Sequence, residues 1–291
     1  MLCASHLLLS ALRFDLRSSR WSLALVALLG IGLASGCASA PPQDPIPAHR
    51  AFSLESQILE ETRRIAVYAP PGYEEGSESY PVLYMPDGGV AEDFPHIANT
   101  IDSLIRDGEI APTLVVGIEN TVRGRDLTPD SSTDEDGQYA PLSDGAAAFR
   151  AFIADELIPH IESTYRTNGE RAIVGESLAG LFVVDTFFRQ PQLFQRHVAV
   201  DPSLWWDDHA LVRRAPEDLP SLAGLQRTLW FAGSDAEDIH RHTEALVEIL
   251  EEHAPEDLTW TYDSRPDEQH WTIFRATKED AFRWALWKPQ R

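Results

Sequence analysis

The stretch AIVGESLAG at residues 172–180 determines the fold class. Its first three residues are apolar, as in a buried strand, and the apolar spacing of Leu181–Phe188 after it is typical of a helix. Ser177 lies between them with the small residues Gly175 and Ala179 two positions away on either side. A serine in this setting indicates a sharp strand-to-helix turn that lifts its hydroxyl above the end of a parallel sheet.

The same alternation of strand and helix patterns extends along the chain from about residue 50. Predicted strands are Arg64–Tyr68, Val82–Met85, Thr113–Ile118, Ala172–Val174, Val198–Val200, Thr228–Phe231 and Leu258–Tyr262. Predicted helices include the apolar face from Phe149 to Ile161, His242–His253 and Glu279–Leu286. Short apolar strands separated by helices predict one α/β domain, with a mostly parallel twisted sheet covered by helices on both faces.

Composition limits the possible functions. The 291 residues include 46 acidic and 24 basic side chains, giving a net charge of −22. A chain this acidic has no attraction to phosphate backbones, which argues against nucleic-acid binding. The only cysteines are Cys3 and Cys37, so the body of the chain has neither a disulfide framework nor a cysteine-built zinc site.

The N-terminus has the pattern of an export signal. Three arginines precede the apolar run Leu23–Leu33, which has 11 residues and is too short for a spanning helix of about 20. The run ends in LASGC at residues 33–37, which resembles a bacterial lipobox with Ala34 in place of the usual Leu. An ordinary signal peptide with an incidental Cys37 is the alternative.

These patterns divide the chain into three parts. We predict a lipoprotein-type export signal at residues 1–36 and a small, Pro-rich tether at 37–50, with lipid attached to Cys37. A catalytic domain follows at 51–291. The expected location is the bacterial cell envelope, facing the periplasm and held at a membrane by the lipid.

The serine at the turn predicts a nucleophile that needs a basic partner. The chain order in folds with this turn is serine, acid, histidine. His270 follows the last predicted strand and precedes the final helix, which makes it the expected base. The acid should follow the strand Thr228–Phe231, and Asp235 comes first there.

Other carboxylates compete with Asp235 for the role of the acid. Glu237 and Asp238 lie in the same loop, and Glu268 is close to the histidine in the chain. Acidic residues also favour the first turn of a helix without any catalytic role, which is the alternative interpretation of Glu237 and Asp238.

Backbone N–H groups should stabilise an oxyanion beside the serine. The N–H of Leu178, at the start of the helix, is the first expected donor. The second should come from the loop after Val82–Met85, where Gly88 and Gly89 leave the backbone unobstructed.

Five segments together resemble the esterase family of α/β-hydrolases, which includes esterase D, feruloyl and acetylxylan esterases, enterobactin-type siderophore esterases and mycolyltransferases. They are RIAVYAPPGY at 64–73, YPVLYMPDG at 80–88, RDLTP at 125–129, PSLWW at 202–206 and DEQH at 267–270. With the serine turn, the likeness runs from about Ser53 to Trp287.

The RDLTP and SLWW segments are most similar to the siderophore-esterase group. The resemblance implies that Arg125 and either Trp205 or Trp206 lie near the substrate. Three residues depart from the family pattern: Glu176 where His is common, Ala179 for Gly, and Asp201 where Ser is common. Glu176 and Asp201 should make the mouth of the site acidic.

The sequence therefore predicts an exported serine carboxylic-ester hydrolase that acts through an acyl-Ser177 intermediate, without a metal or organic cofactor. Its expected partner is a small-molecule ester, either siderophore-type or carbohydrate-linked. Acyl transfer to a sugar or lipid alcohol is an alternative for the same site. A surface-anchored binding protein without turnover is the alternative from another functional class.

Overall fold

The structure, a computed structural model, describes residues 44–288. Its strands are β1 (Arg50–Ser56), β2 (Glu61–Tyr68), β3 (Tyr80–Met85), β4 (Leu114–Ile118), β5 (Thr167–Glu176), β6 (Arg196–Val200), β7 (Thr228–Gly233) and β8 (Thr259–Ser264). Its helices are α1 (Phe94–Arg106), α2 (Arg123–Leu127), α3 (Gly145–Phe152), α4 (Ile158–Thr164), α5 (Leu178–Arg189), α6 (Trp206–Asp218), α7 (Glu237–His253) and α8 (Ile273–Ala285). A π-helical turn at Ile153–Leu157 joins α3 to α4, and 3₁₀ turns lie at Asp134–Gln138 and Leu219–Leu222.

The eight strands form one sheet in the order β1-β2-β4-β3-β5-β6-β7-β8. Strands β3 to β8 are parallel to one another, and β2 pairs antiparallel with both β1 and β4. The predicted α/β fold with a mostly parallel sheet is confirmed. Strand β1 was not predicted, because it lies at the sheet edge with most of its residues exposed and so carries a weak apolar signal.

Both faces of the sheet are buried, as the continuous apolar strands require. In β5, Ile173 points into the core beneath α3 to α7, whereas Ala172 and Val174 point into the core beneath α1 and α8. All three side chains are fully buried. A strand enclosed on both sides has to be apolar throughout, and this explains the pattern that identified it.

The predicted export signal at 1–36, the lipidation residue Cys37 and the first part of the tether lie outside the described residues. Within 44–288, no helix is both long and apolar enough to cross a membrane.

The last residues of the predicted tether pack onto the domain. The Asp44 carboxylate pairs with Arg275 at 2.6 Å, and the Asn99 amide donates to the Pro45 carbonyl at 2.7 Å. The folded domain therefore begins no later than Asp44, several residues before the predicted boundary at 51.

The parallel order brings three strand ends together. Strands β5, β6 and β7 are neighbours in register, with Glu176 beside Val200 and Val200 beside Ala232. The loops that follow these strands meet at one edge of the sheet, where open α/β sheets place their ligand sites.

Candidate active site

Ser177 lies on a strained turn between β5 and α5. Its φ of 59° and ψ of −122° are outside the regions that a side chain favours. A Cβ at Gly175 would come within 2.5 Å of the Ala179 backbone, so the approach that forms the turn requires glycine there. The Ser177 N–H donates to the Val200 carbonyl at 3.0 Å, which fastens the turn to β6.

Three side chains form a continuous hydrogen-bonded row at this edge. His270 Nε2 lies 3.1 Å from the Ser177 hydroxyl, and His270 Nδ1 lies 2.5 Å from Asp201 Oδ2. Since a carboxylate only accepts hydrogen bonds, Nδ1 carries the hydrogen and Nε2 is left to accept from the serine. This is the arrangement of a nucleophile, a base and an orienting acid.

Asp201 is held rigidly at the end of β6. Its side chain is fully buried, and its backbone is left-handed with φ 46°. Both carboxylate oxygens have donors from the β7 loop: the Ser234 N–H reaches Oδ1 at 2.7 Å and the Ser234 hydroxyl reaches Oδ2 at 2.8 Å. A buried carboxylate needs such partners to remain charged.

The choice of Asp235 as the acid partner of His270 is wrong. The Asp235 side chain is exposed and forms no hydrogen bond or ion pair within residues 44–288, although its N–H donates to the Glu268 carbonyl at 3.0 Å. Glu237 and Asp238 form the first turn of α7, as their helical interpretation expected. The ends of β6 and β7 adjoin, and it is Asp201, after β6, whose carboxylate lies 2.5 Å from His270 Nδ1.

His270 and Glu176 have displaced pKa values. The hydrogen bond with Asp201 raises the pKa of His270 above its ordinary 6.5. Burial raises the pKa of the Glu176 carboxyl to about 8, and the negative charge of Asp93 acts in the same direction. Glu176 Oε1 is buried without a hydrogen-bond partner among the described residues, which fits a carboxyl that holds its proton at neutral pH.

A pocket of about 380 Å³ opens in front of Ser177 and His270, which is within the usual range for small-molecule sites. Its other walls come from the start of α2, the loop after α2, the start of α5, the segment after β6 and the start of α7. These walls include Arg123, Tyr139, Leu178, Ser203, Trp205, Ala236, Asp238 and Ile239.

Arg125, which the resemblance placed near the substrate, does not line this pocket. Its guanidinium donates to Asp126 at 2.7 Å and to Glu61 at 2.8 Å, and thereby ties α2 to β2. Arg123 lines the pocket instead. Two nitrogens of Arg123 donate hydrogen bonds to the two carboxylate oxygens of Asp87 at 2.8 and 2.7 Å. This bidentate pair fixes the plane of the guanidinium.

Of the two tryptophans that the resemblance placed near the substrate, one lines the pocket and the other does not. Trp205 lines the pocket, whereas Trp206 is buried and donates its ring N–H to the Pro129 carbonyl at 3.0 Å. Tyr139 lies against Trp205 with ring centroids 5.0 Å apart. The pocket therefore has an aromatic wall of two rings from different segments.

The structure supports one expected oxyanion donor and corrects the other. Leu178 opens α5 and lines the pocket, and an N–H at a helix start has no acceptor within the helix. The Gly88 N–H donates to the Ile118 carbonyl at 2.9 Å, and the Gly89 N–H donates to Glu92 at 2.7 Å. Both glycines line a different cavity beside β1 and β2, so neither is a free donor toward Ser177.

The sequence reasoning missed Asp201, Arg123 and Tyr139. Asp201 had a usable signal, because it directly follows a predicted strand that ends at the same sheet edge as Ser177. Arg123 is two positions from Arg125 in one short segment, and only the turn of α2 shows which of them faces the pocket. Tyr139 lies in a loop without a periodic pattern.

Comparison with known proteins agrees with this geometry. The model of a family described as "Putative esterase" matches residues 56–281, a span that contains Ser177, Asp201 and His270. The chain is similar to an IroE-like serine hydrolase from Shewanella oneidensis of known structure, with 30% identity and a TM-score of 0.74. That match covers 81% of this chain and 79% of the other.

Two relatives known from their sequences are esterases by name. The ferri-bacillibactin esterase BesA of Bacillus subtilis is 28% identical over 185 residues, which cover 58% of this chain and 63% of that protein. The chain thus spans about three fifths of the length of BesA. The apo-salmochelin esterase of Escherichia coli is 24% identical over 255 residues, which cover 79% of this chain and 77% of that protein.

The position of the acid can be tested by a matched pair of substitutions. Asp201→Asn keeps the shape of the side chain but permits the wrong His270 tautomer, and we expect kcat for 4-nitrophenyl acetate to fall by about 10⁴. Asp235→Asn changes an exposed side chain, so its kcat should stay within about twofold of the parent. A severe loss in Asp235→Asn with a mild one in Asp201→Asn would reverse the assignment.

Proposed function

The chain belongs to the family described as "Putative esterase", and from this premise we propose that it hydrolyses carboxylic esters through an acyl-Ser177 intermediate. The observation that carries the proposal is the hydrogen-bonded row of Asp201, His270 and Ser177 at the pocket. Each member has the partner that its role requires, and the serine faces space large enough for a small-molecule ester.

The reaction follows from the direction of these bonds. His270 Nε2 takes the proton of the Ser177 hydroxyl as the oxygen attacks the ester carbonyl carbon. When the tetrahedral intermediate collapses, the bond to the alcohol oxygen breaks and His270 returns the proton to that oxygen. Water then attacks the acyl-serine with His270 again as the base, releasing the acid and restoring the hydroxyl.

Asp201 acts on the reaction through the imidazole. Its carboxylate fixes the ring orientation through Nδ1 and stabilises the positive charge that His270 gains in each attack. Because Ser234 bonds both carboxylate oxygens, Asp201 does not need to reorganise during this change of charge.

The negative charge that develops on the carbonyl oxygen during the reaction is stabilised by the start of α5. The Leu178 N–H and the positive end of the α5 dipole both favour negative charge next to Ser177. Arg123 adds a fixed cation to the pocket wall, placed by Asp87 to receive an oxygen of the substrate.

The pocket walls favour an ester that carries an aromatic ring. Tyr139 and Trp205 both line the pocket, and aromatic rings bind planar groups by stacking. Because BesA and the apo-salmochelin esterase are siderophore esterases by name, we propose a siderophore-type ester as the substrate. A panel of catecholate-siderophore, feruloyl, acetyl-sugar and simple aryl esters tests this, and faster turnover of acetyl sugars than of catecholate esters would overturn it.

We also propose that the protein is exported and held at a membrane by lipid on Cys37. This rests on the basic, apolar and small-residue order of the first 37 residues and on the resemblance of LASGC to a lipobox.

Ser177→Ala should abolish ester hydrolysis with the fold intact. Loss of a triad nucleophile costs about 10⁴ to 10⁶ in kcat, and labelling by a fluorophosphonate probe should disappear with it. The measurement is the rate with 4-nitrophenyl acetate alongside the melting temperature. A folded variant that retains more than about a tenth of the parent rate would exclude Ser177 as the nucleophile.

The pH dependence should report the His270–Asp201 bond. Neutral His270 is the active base, and its pKa is raised above 6.5, so kcat/KM should fall as the pH drops through a value above 6.5. In Asp201→Asn the residual activity should persist to lower pH, because the bond that favours the charged ring is gone. Glu176→Gln is the comparison variant, since Glu176 raises the pKa of His270 only through its charge and by less than the Asp201 hydrogen bond does. A shift there as large as in Asp201→Asn would contradict the assignment.

Cys37→Ser should move the protein from the membrane fraction to the soluble fraction of the cell envelope. The thiol is the only attachment point that the lipobox-like segment offers. Fractionation with mass spectrometry of the parent protein checks this, and a parent without lipid on Cys37 would refute the anchor.

A further inference from the structure

The aromatic wall of the pocket is built from two segments far apart in sequence. Tyr139 follows the 3₁₀ turn Asp134–Gln138, and Trp205 directly precedes α6. Tyr139 is 60% exposed, so burial does not hold its ring against Trp205. Another contact must fix the spacing of the two rings.

A carboxylate bridge joins these segments beside the wall. The Asp207 N–H donates to Asp136 Oδ2 at 2.8 Å. In return, Asp207 Oδ1 accepts from the Ser132 N–H at 2.7 Å and from the Ser132 hydroxyl at 2.8 Å. The bridge thus connects the first turn of α6 with both ends of the loop that leads to Tyr139.

The backbone at this bridge is unusual. Asp207, Asp208 and His209 are consecutive left-handed residues, with φ of 52°, 47° and 52°. This conformation is unfavourable for residues with a Cβ, and a run of three is rare. Strain of this kind persists where the surrounding structure enforces it, and it concentrates at functional sites.

Only the first residue of the turn is directed at the loop. The Asp208 carboxylate is exposed and pairs with Arg213 at 2.6 Å, on its own helix. Asp207 and Asp208 therefore share the same strained turn but differ in whether they bind the Tyr139 loop, which makes Asp208 a natural control.

We propose that Asp207 is a positioning residue that sets Tyr139 against Trp205, so that the two rings form one aromatic wall on which a planar aromatic group of the ester stacks. The inference rests on the proposed ester hydrolysis and deepens it, because it names the residue that sets the selectivity. Asp207 itself does not line the pocket formed by the described residues. Its effect on the substrate passes through the two rings.

The effect should appear as selectivity and not as a general loss of activity. An aromatic contact of this type changes binding by about three- to tenfold. A variant that frees the Tyr139 loop should lose that factor in kcat/KM for an aromatic ester, while an ester without a ring keeps its rate.

The test compares matched esters in three variants at Asp207. Vinyl benzoate and vinyl acetate differ in the acyl group, and benzyl acetate and ethyl acetate differ in the alcohol. Asp207→Ala removes the oxygen that accepts from Ser132 and keeps the strained left-handed backbone. Asp207→Gly removes the same oxygen and relieves the backbone strain. Asp207→Asn keeps an accepting oxygen in a residue that tolerates the left-handed region. If the alanine variant does not fold, the glycine variant still gives the answer.

We expect the aromatic-to-aliphatic ratio to fall about three- to tenfold in Asp207→Ala and Asp207→Gly for at least one ester pair. The ratio should be unchanged in Asp207→Asn and in the control Asp208→Ala. Fluorophosphonate labelling of Ser177 should persist in all four, which separates this test from a failure of the proposed function. Equal losses on both members of each pair, or the same change in Asp208→Ala, would overturn the inference.

A double substitution tests the route of the effect. If Asp207 acts through Tyr139, adding Asp207→Ala to Tyr139→Ala should cost no further selectivity, because the ring it positions is already absent. Additive losses would show that Asp207 acts by another route and would refute its role in positioning Tyr139.

Discussion

The hydrogen bond between the buried Asp201 carboxylate and His270 is the interaction on which the rest of the site depends. A carboxylate without solvent contact is costly unless its oxygens are bonded, and here the donors come from His270 and Ser234. Asp201, Ser234 and His270 follow three different strands, β6, β7 and β8. The bond can form only when β6, β7 and the loop before α8 are all in place, so it links the chemistry of the site to the completion of the fold.

The register of the parallel strands aligns the loops that carry the other site residues. The Ser177 N–H bonds to the end of β6, the Asp201 N–H bonds to the end of β7, and the Asp235 N–H bonds to the loop that carries His270. Backbone hydrogen bonds thereby hold each strand end against the next. These bonds fix the backbone positions from which the Ser177 and His270 side chains reach each other.

The sequence was sufficient for the features that have a local cause. Steric crowding at Gly175 and the alternation of apolar strands are visible in a short window, and they predicted the sheet, Ser177 and the place of His270. The identity of the acid had no such local signal, because Asp201 and Asp235 both follow strands that end at one edge of the sheet. The structure distinguishes them: Asp201 is buried and bonded to His270, whereas Asp235 is exposed. Gly88 is glycine because its backbone packs directly on Gly117, a reason unrelated to the oxyanion role predicted for it.

The carboxyl group of Glu176 affects how the acid product of the proposed reaction leaves the site. Ester hydrolysis in the pocket produces a carboxylic acid, which ionises in water at neutral pH. Because burial raises the pKa of Glu176 to about 8, its carboxyl ionises only in mildly alkaline solution. A second carboxyl group, that of Asp238, lines the pocket wall. Glu176 does not line the pocket, but it directly precedes Ser177, so its ionisation adds a negative charge that acts through space on a newly formed carboxylate and less on a neutral ester. For the proposed ester hydrolysis, we therefore expect the site to hold the acid product less tightly in mildly alkaline solution than at neutral pH.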